Sequence, residues 1–233
     1  MKSVTFRAFR AIDDPDACQR FIQGHRRVLE IFDIAMITSN KPDWINHPNT
    51  FVILVESSEG ARAMGGARVQ IADNHMPLQI EDAVGKVDKK IYEVVKAHRQ
   101  HVTGEACGLW NSREIAGYGI GSFFLTRACI ALAHQLGLKS LFALAAPSTV
   151  RIAGNAGFSI VTSLGKEGFF NYPKLDLVAT AMVVEDVSTL DAAHEEDRAH
   201  IFDLMERPRQ VRTDRGPKGE LKIIYDLVVN NRK

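Results

Sequence analysis

The chain has 233 residues, with 29 lysines and arginines against 28 aspartates and glutamates, and 45% of its residues are hydrophobic. This length and composition are typical of a globular protein with one large domain, or with one domain plus an extension. The balanced charge argues against a general nucleic-acid-binding surface, which needs a basic footprint. No apolar run approaches the roughly 20 residues of a membrane-spanning helix. The cysteines are scattered, and their spacing excludes a disulfide framework and a cysteine-based zinc site. Together with an N-terminus that lacks a signal-peptide-like apolar run, this predicts a cytoplasmic protein without a metal.

The first half of the chain predicts strands, two helices and a hairpin. Asp13-Asp14-Pro15-Asp16 marks a helix start, since proline and acidic residues favour the first turn. The strands at 51–55 and 61–71 predict a hairpin with its turn at 57–60, and Gly65-Gly66 predicts a bulge or a close backbone approach in the second strand. The other predicted elements are a strand at 4–9, helical spacing continuing to Phe32, a loop at 40–50, an irregular segment at 72–86, a helix at 87–101 and a strand at 103–111.

The second half begins with a glycine-rich turn at 117–121, followed by a predicted helix at 122–136. Leu125, Cys129, Leu132 and Leu136 fall on one face of this helix, and Gly137 is its predicted stop. The other predicted elements are a strand at 140–145, a helix from Pro147 to Gly157, strands at 158–162 and 177–184, a helix at 188–207, a turn at 212–219 and a strand at 221–229. Hairpins mixed with helical crossovers predict a mixed sheet.

The glycine turn, Ala116 to Ser122, lies between a strand and a helix, where exposed backbone N–H groups favour an anion. A dinucleotide fingerprint counted from Gly117 fails, because its sixth position is Ser122 and the ribose-binding acid expected about 20 residues later is missing. A P-loop fails as well, because no Gly-Lys-Ser/Thr opens the helix.

The segment Ala116-Gly117-Tyr118-Gly119-Ile120-Gly121 resembles motif A of the GCN5-related N-acetyltransferase superfamily, Arg/Gln-x-x-Gly-x-Gly/Ala. Ala116 replaces the leading Arg or Gln, and Asn155-Ala156-Gly157-Phe158 resembles the Gly-Phe of motif B. The resemblance implies an α/β (α+β) acyl-CoA N-acyltransferase fold, with a mixed, mostly antiparallel central sheet flanked by helices. This domain would span 1–184, and 185–233 would form a C-terminal helix–strand extension.

The distribution of charge around the turn is also consistent with a phosphate-bearing ligand. No Asp or Glu occurs from Ile115 to Lys166, where the charged residues are Arg127, Lys139, Arg151 and Lys166. A ligand with a pyrophosphate and a 3′-phosphate prefers a surface without carboxylates. The alternative is that a buried helix and strand simply carry few charges.

The resemblance implies acetyl-CoA or a longer acyl-CoA as cosubstrate. The pantetheine arm would bond to the backbone of the strand at 103–111, the pyrophosphate to the amides of the turn, and the helix after Pro147 would face the coenzyme. The residues implied in binding are Leu109, Trp110, Asn111, Gly117, Tyr118, Gly119, Ile120, Gly121, Ser122, Ser148, Thr149 and Arg151.

Glu105 is the candidate general base, because many members of the superfamily carry their base there and a carboxylate on an apolar strand has a raised pKa. A paired, solvated glutamate at a strand end is the alternative. The usual proton donor is a tyrosine, but its position holds Ala153. Tyr118, Tyr172 or Ser148 could replace it, and Tyr172 is the candidate retained. His98 and His101 are interpreted as surface histidines, with a metal site as the alternative. Cys107 is interpreted as a core residue, and Trp44 and Trp110 as core or acyl-pocket residues.

A second resemblance is to acyl-homoserine lactone synthases. It rests on Gly66-Ala67-Arg68-Val69, Met76-Pro77-Leu78 and Glu105, with an insertion over about 72–102. The N-terminal Arg and paired Trp of those synthases have no clear counterpart here, although Arg26 and Trp44 lie in the same general region. This resemblance implies kinship to long-chain or amino-acid acyltransferases.

The tail carries Arg207, Arg209, Arg212, Arg215, Lys218 and Lys222 within sixteen residues. This cluster suits coenzyme phosphates or an acidic acyl-carrier protein, a solvated basic turn being the alternative. The apolar final strand could instead pair with another subunit in a homodimer. The sequence thus predicts acyl transfer from acyl-CoA to an amine of a small molecule, with two alternatives: a synthase-like long-chain acyltransferase and a non-catalytic acyl-CoA-binding sensor or scaffold.

Overall fold

The computed structural model describes residues 2–31, 42–57, 62–173 and 176–229, and these form ten strands and six α-helices. The strands are β1 (Lys2–Arg10), β2 (Thr50–Ser57), β3 (Ala63–Ile71), β4 (Thr103–Asn111), β5 (Ser140–Ala145), β6 (Ser159–Ile160), β7 (Phe169–Asn171), β8 (Val178–Val184), β9 (Arg209–Gly216) and β10 (Gly219–Asp226). The helices are α1 (Pro15–Ile31), α2 (Gln79–Val84), α3 (Lys90–His98), α4 (Leu125–Gln135), α5 (Pro147–Asn155) and α6 (Glu195–Glu206).

All ten strands join one sheet, in the order β6-β8-β5-β4-β3-β2-β1-β10-β9, with β7 paired to β8. Two neighbouring pairs, β4–β5 and β1–β10, are parallel, and the others are antiparallel. The mixed, mostly antiparallel sheet that we predicted is therefore confirmed. The register between β3 and β4 shifts after Gly66, at the predicted bulge.

Helices cover both faces of the sheet because alternate residues of the central strands point to opposite sides. Phe51, Ile53 and Val55 pack in the same cluster as α4 and α6, whereas Val52 and Leu54 pack with α1. A third cluster joins α2 and α3 to the region of β5 and β8. The two apolar layers place α4, α5 and α6 on one face, and α1, α2 and α3 on the other.

Two predicted helix boundaries have clear local causes. In α1 the backbone N–H of Ala17 donates to Asp14 Oδ1 at 3.0 Å, which caps the helix start at Pro15. On α4, Leu125, Cys129 and Leu132 are buried as the spacing predicts. The helix ends at Gln135, two residues before Gly137, whose φ of +75° is costly for other residues.

Several predicted elements are wrong in type or extent. Residues 209–216 form β9 and not a turn at 212–219, because they pair along their whole length with β10. The segment 72–86 contains α2, α6 begins at Glu195 and not at 188, and β7 was not predicted. Residues 120–124 form a π-helical turn before α4, and 42–46 form a 3₁₀ turn in the predicted loop. Phe32 and the turn at 58–60 lie outside the described residues.

The C-terminal segment completes this same sheet. β10 runs parallel to β1, with Val4 opposite Ile223 and Phe6 opposite Tyr225. Helix α6 is tied to α4 by the buried ion pair of Arg127 Nε with Asp197 Oδ1 at 2.7 Å. The final strand is therefore paired within the chain, and β9 forms one edge of the sheet. Nowhere in the described ranges is a helix both long and apolar enough to cross a bilayer.

The contact between α1 and β4 predicts a strong stability effect at Gly24. A Cβ on Gly24 would lie 2.0 Å from Trp110 Cη2, so an alanine forces the helix and the indole apart. We expect Gly24→Ala to destabilise the fold by about 1–3 kcal/mol, although alanine normally stabilises a helix interior. Urea unfolding measures this. The matched control is Gly154→Ala in α5, whose Cβ would meet nothing within 4 Å. Equal midpoints for the two variants would contradict the prediction.

Candidate active site

The candidate site lies where two parallel strands separate. β4 and β5 are paired only over Thr103–Glu105 and Ser140–Phe142. Beyond these residues the strands diverge, and a cavity of about 310 Å³ opens between them. The lining residues come from both faces of the sheet: His25, Leu29, Gln79, Glu105, Ala106, Cys107, Gly108, Leu109, Gly121, Thr126, Cys129, Ala143, Leu144, Ala145, Ala146, Thr149, Ala153, Phe158 and Tyr172.

Glu105 lies on the wall of this cavity and is almost completely buried, with 1% of its surface exposed. Burial raises the pKa of its carboxyl from the ordinary value of 4.5 to about 8. Hydrogen bonding opposes this shift, since the backbone N–H of Ile80 donates to Glu105 Oε2 at 2.9 Å. The nearby charge of Arg68 also favours the carboxylate. The result is a carboxyl group that exchanges its proton near neutral pH, as a general base requires.

Three further polar side chains that the sequence did not single out line the cavity with Glu105, namely Gln79, His25 and Thr126. Gln79 begins α2 and is buried, and its Oε1 has no hydrogen-bond partner among the described residues. A buried acceptor of this kind needs a donor, which a ligand N–H would supply. His25 on α1 is held neutral, because burial and the charge of Arg68 lower its pKa to about 4. No local sequence pattern marks Gln79 or His25, since α2 is short and His25 lies within an amphipathic helix.

The glycine turn lies at another edge of the cavity. Gly117 and Gly119 have φ of +86° and +84°, which glycine adopts without the strain imposed on other residues. Gly121 lines the cavity and packs so closely on Asn111 that a Cβ there would lie 1.9 Å from Asn111 Oδ1. The turn leads into the helical segment that begins at Ile120, whose first amides have no partner within the helix.

The residues predicted to bind the coenzyme occupy different positions around this cavity. Leu109, Gly121 and Thr149 line it. Ser148 and Arg151 are exposed on α5, beside Thr149. Along β4, Leu109, Trp110 and Asn111 lie past the last pair with β5, so the backbone edge facing β5 is not bonded to that strand. The turn residues Gly117, Tyr118, Gly119 and Ile120 precede Gly121, and only the backbone of Ser122 is described.

The two tryptophans lie in the core and not on the cavity wall. Trp110 packs edge-on against Phe21, and so does Trp44. The guanidinium of Arg68 lies 4.4 Å from the centroid of the Trp44 ring, in an arrangement that favours a cation–π contact. The acyl-pocket interpretation of these two residues therefore finds no support in the cavity's lining, which does not include them.

Of the other candidate catalytic or metal-binding residues, Tyr172 lies on the cavity wall, Cys107 is buried with a protonated thiol, and His98 is paired with a carboxylate. Tyr172 lines the cavity just after β7. Burial raises the pKa of Cys107 to about 12, so its thiol stays protonated and is a poor nucleophile. His98 Nε2 lies 3.1 Å from Glu185 Oε2, and its ring packs on Phe142. Among the described residues no group of three metal-binding side chains was found that could hold an ion.

The basic tail contacts the glycine turn. The backbone N–H of Lys218 donates to Gly117 O at 2.8 Å, and a Cβ on Gly117 would lie 2.7 Å from Lys218 Cε. From the other side, Lys2 Nζ lies 5.0 Å from the centroid of the Tyr118 ring. The three arginines of the tail that precede Asp214 are paired with carboxylates: Arg207 and Arg212 with Asp203, and Arg209 with Asp226.

Comparison with solved structures identifies the same architecture in several proteins. An N-acyl amino acid synthase from uncultured soil microbes, FeeM, is 14% identical, with a TM-score of 0.61 over 85% of this chain and 99% of that one. A CoA-dependent acyl-homoserine lactone synthase, BjaI, is 16% identical, with a TM-score of 0.55 over 92% and 94%. An acyl-CoA N-acyltransferase from Pseudomonas aeruginosa is 13% identical, with a TM-score of 0.53 over 77% and 98%. No protein-family model and no curated protein matches the chain.

These similarities extend over most of the chain and nearly all of each compared structure, so the chain has the acyl-CoA N-acyltransferase fold that its motifs predict. The identities are low, and what they establish is the fold. The chemistry is argued from the site itself.

Proposed function

We propose that this protein is an acyl-CoA-dependent N-acyltransferase that moves an acyl group onto an amine of a small molecule. The observation that carries the proposal is Glu105, a buried carboxyl with a pKa of about 8 on the wall of the cavity between β4 and β5. A structural glutamate needs no cavity beside it. A base that accepts a proton from an amine needs both the cavity and the raised pKa.

The cosubstrate is proposed to bind along the edge that β4 leaves unpaired with β5. The amides of the glycine turn from Gly119 to Ser122 would hold the pyrophosphate, with the exposed Arg151 and Ser148 on α5 nearby. The amide of Tyr118, which was also expected to do so, donates to Ile115 O at 3.2 Å. The backbone of Leu109 to Asn111 would bond the pantetheine arm, because strand amides and carbonyls beyond Glu105 are not paired with β5. The stretch 115–166, which lacks acidic residues, supports a ligand that carries several phosphates.

The proposed reaction uses three side chains at the cavity. The acceptor amine donates an N–H to Gln79 Oε1, which has no other partner among the described residues. Glu105 takes a proton from the amine as its nitrogen attacks the thioester carbonyl. The C–N bond forms, the C–S bond breaks, and the departing thiolate takes a proton from Tyr172. Both the base and the donor then return to their starting states by exchange with water.

Two other functions remain as alternatives, each with an observation behind it. A long-chain acyltransferase like the acyl-homoserine lactone synthases is favoured by the Gly66 to Val69 pattern on β3 and by the shared fold. A non-catalytic acyl-CoA sensor or scaffold is favoured by Ala116 and Ala153, which stand where the superfamily motif has an Arg or Gln and a Tyr. An acyl-carrier protein that binds at the basic tail is a proposed alternative acyl donor. A cytoplasmic location is also a proposal.

Thiol release distinguishes the proposed enzyme from the sensor. The protein is incubated with acetyl-, hexanoyl- and decanoyl-CoA and a panel of amines that includes amino acids and S-adenosylmethionine. We expect amine-dependent release of free CoA. Acyl-CoA binding without release for any amine favours the sensor, and release with S-adenosylmethionine favours the synthase.

Substituting Tyr172 is expected to lower the transfer rate less than substituting Glu105. We expect Tyr172→Phe to lower the transfer rate by about 10²-fold while CoA binding stays within twofold, because the phenol donates its proton only as the thiolate leaves. Single-turnover measurements of thiol release, with CoA binding by calorimetry, test this. An unchanged rate would exclude Tyr172 as the donor and leave Tyr118 or Ser148 as candidates.

A further inference from the structure

A second buried carboxyl group lies at the start of α2, next to the proposed base. The backbone N–H of Leu78 donates to Glu81 Oε2 at 2.8 Å, and that of Ile80 donates to Glu105 Oε2 at 2.9 Å. The two amides are two residues apart, so one helical turn holds both carboxyl groups. Glu81 is only 5% exposed. Water therefore screens the two groups weakly, and a negative charge on one disfavours a negative charge on the other.

Arg99, directly after α3, carries the charge that opposes Glu81. Its Nη2 donates to Glu81 Oε2 at 3.3 Å, the same oxygen that accepts the N–H of Leu78. Its Nη1 donates to Asn74 Oδ1 at 3.4 Å, so the guanidinium also holds the segment that leads into α2. The end of α3 is thereby tied to the short helix whose amide bonds Glu105.

Five titratable or charged groups from the elements around Glu105 face it or share its cavity: His25 on α1, Arg68 on β3, Glu81 on α2, Cys107 on β4 and Tyr172 after β7. Burial is the largest cause of the raised pKa of Glu105; the charge of Arg68 acts against it, and the charge of Glu81 adds to it. Burial and the charge of Arg68 keep the pKa of His25 near 4, and burial raises that of Cys107 to about 12, so both are neutral near pH 7.

We propose that Glu81 and Arg99 are positioning residues that tune the base: the charge of Glu81 disfavours loss of the proton from Glu105, and Arg99 limits that effect by pairing with Glu81. This role rests on the proposed function, because it takes Glu105 as the base. Neither side chain is among those that line the cavity. Both therefore act through Glu105 and not on a substrate.

The proton on Glu105 can be followed without a substrate. In protein labelled with ¹³C at the glutamate side-chain carboxyls, NMR follows each group through a pH titration, and the Glu105 signal is the one missing in Glu105→Gln. We expect a wild-type midpoint near 8. Glu81→Gln should lower the midpoint by about one pH unit, because it removes the neighbouring charge and keeps an oxygen for the N–H of Leu78. Arg99→Gln should raise it by about one pH unit, because the charge of Glu81 is then unopposed.

The opposite directions of these shifts distinguish tuning from a structural role. A loosened α2 would admit water to Glu105 and move both midpoints down, toward the ordinary 4.5. Arg99→Lys is the matched control, since it keeps the charge, and it should titrate like the wild type. In the Glu81→Gln background, Arg99→Gln should no longer raise the midpoint, because Arg99 acts through Glu81. The pH profile of acyl transfer should move with the midpoints.

The outcomes separate this role from the proposed function. If Glu105→Gln transfers acyl groups at the wild-type rate, the proposed function fails and the role of the pair fails with it. If transfer depends on Glu105 but both midpoints stay at the wild-type value, or both move down, the role of Glu81 and Arg99 alone is overturned. If Glu81→Gln does not fold, Arg99→Gln decides, since an unchanged or lowered midpoint in that variant overturns the proposal.

Discussion

Glu105→Gln is expected to lower acyl transfer by about 10²–10⁴-fold while leaving CoA binding within twofold. Glutamine keeps an oxygen that can accept the N–H of Ile80, which now donates to Glu105 Oε2 at 2.9 Å, so the start of α2 stays in place. What the variant loses is the carboxylate that takes a proton. Steady-state thiol release and calorimetric CoA titration separate these two effects.

The pH dependence gives an independent check on the same residue. Since the pKa of Glu105 is about 8, the wild-type rate should rise with pH and level off above this value. Folding stability should move the other way. The pKa is raised above the ordinary 4.5, so the protonated carboxyl contributes stability that is present below about 4.5 and is lost as the pH rises through about 8.

Glu105→Gln should therefore remove both trends. Its residual rate should show no ionisation near 8, and its urea midpoint should fall less than that of the wild type as the pH rises from 5 to 8. A variant that transfers acyl groups at the wild-type rate would exclude Glu105 as the base. A variant that lost rate and CoA binding together would indicate a structural role at α2.

Gly119→Ala is expected to weaken CoA binding by about tenfold. Gly119 has φ of +84°, a conformation that costs an L-residue roughly 1–2 kcal/mol, and its Cβ would lie 3.1 Å from Phe124 Cε2. The turn can relieve this strain only by moving the amides that are proposed to hold the pyrophosphate. Calorimetric titration with CoA measures the loss.

Gly137→Ala is the matched control for this change. Gly137 has φ of +75° at the far end of α4, and its Cβ would meet nothing within 4 Å. It therefore carries similar backbone strain with no proposed ligand contact. We expect both variants to lose stability in urea, and only Gly119→Ala to lose CoA affinity. Equal CoA affinity in both variants would show that the turn does not hold the coenzyme.

The parts of the fold that could be predicted are those with a local signal. The buried face of α4 and its end just before Gly137 follow from residue spacing and from one glycine. The strand predicted at 103–111 is β4, and the two have the same bounds. The glycine turn was recognisable because its pattern depends on backbone conformation alone, and Gly117 and Gly119 do adopt positive φ.

The parts that could not be predicted depend on distant partners. β9 is charged and half-exposed along its length, so no hydrophobic alternation marks it, and it forms because β10 pairs with both β9 and β1. The six-residue α2 is anchored by Glu105, 25 residues beyond Ile80. The cavity itself exists because β4 and β5 stop pairing after Glu105, a feature of geometry that no residue pattern encodes.

One measurement tests the central claim most directly: calorimetric titration of the wild-type protein with CoA and hexanoyl-CoA. The acyltransferase account predicts saturable binding of one molecule per chain for each ligand, because both carry the same coenzyme, which is proposed to bind along the edge that β4 leaves unpaired with β5. A folded protein that gives no saturable heat with either ligand at millimolar concentration would contradict the account.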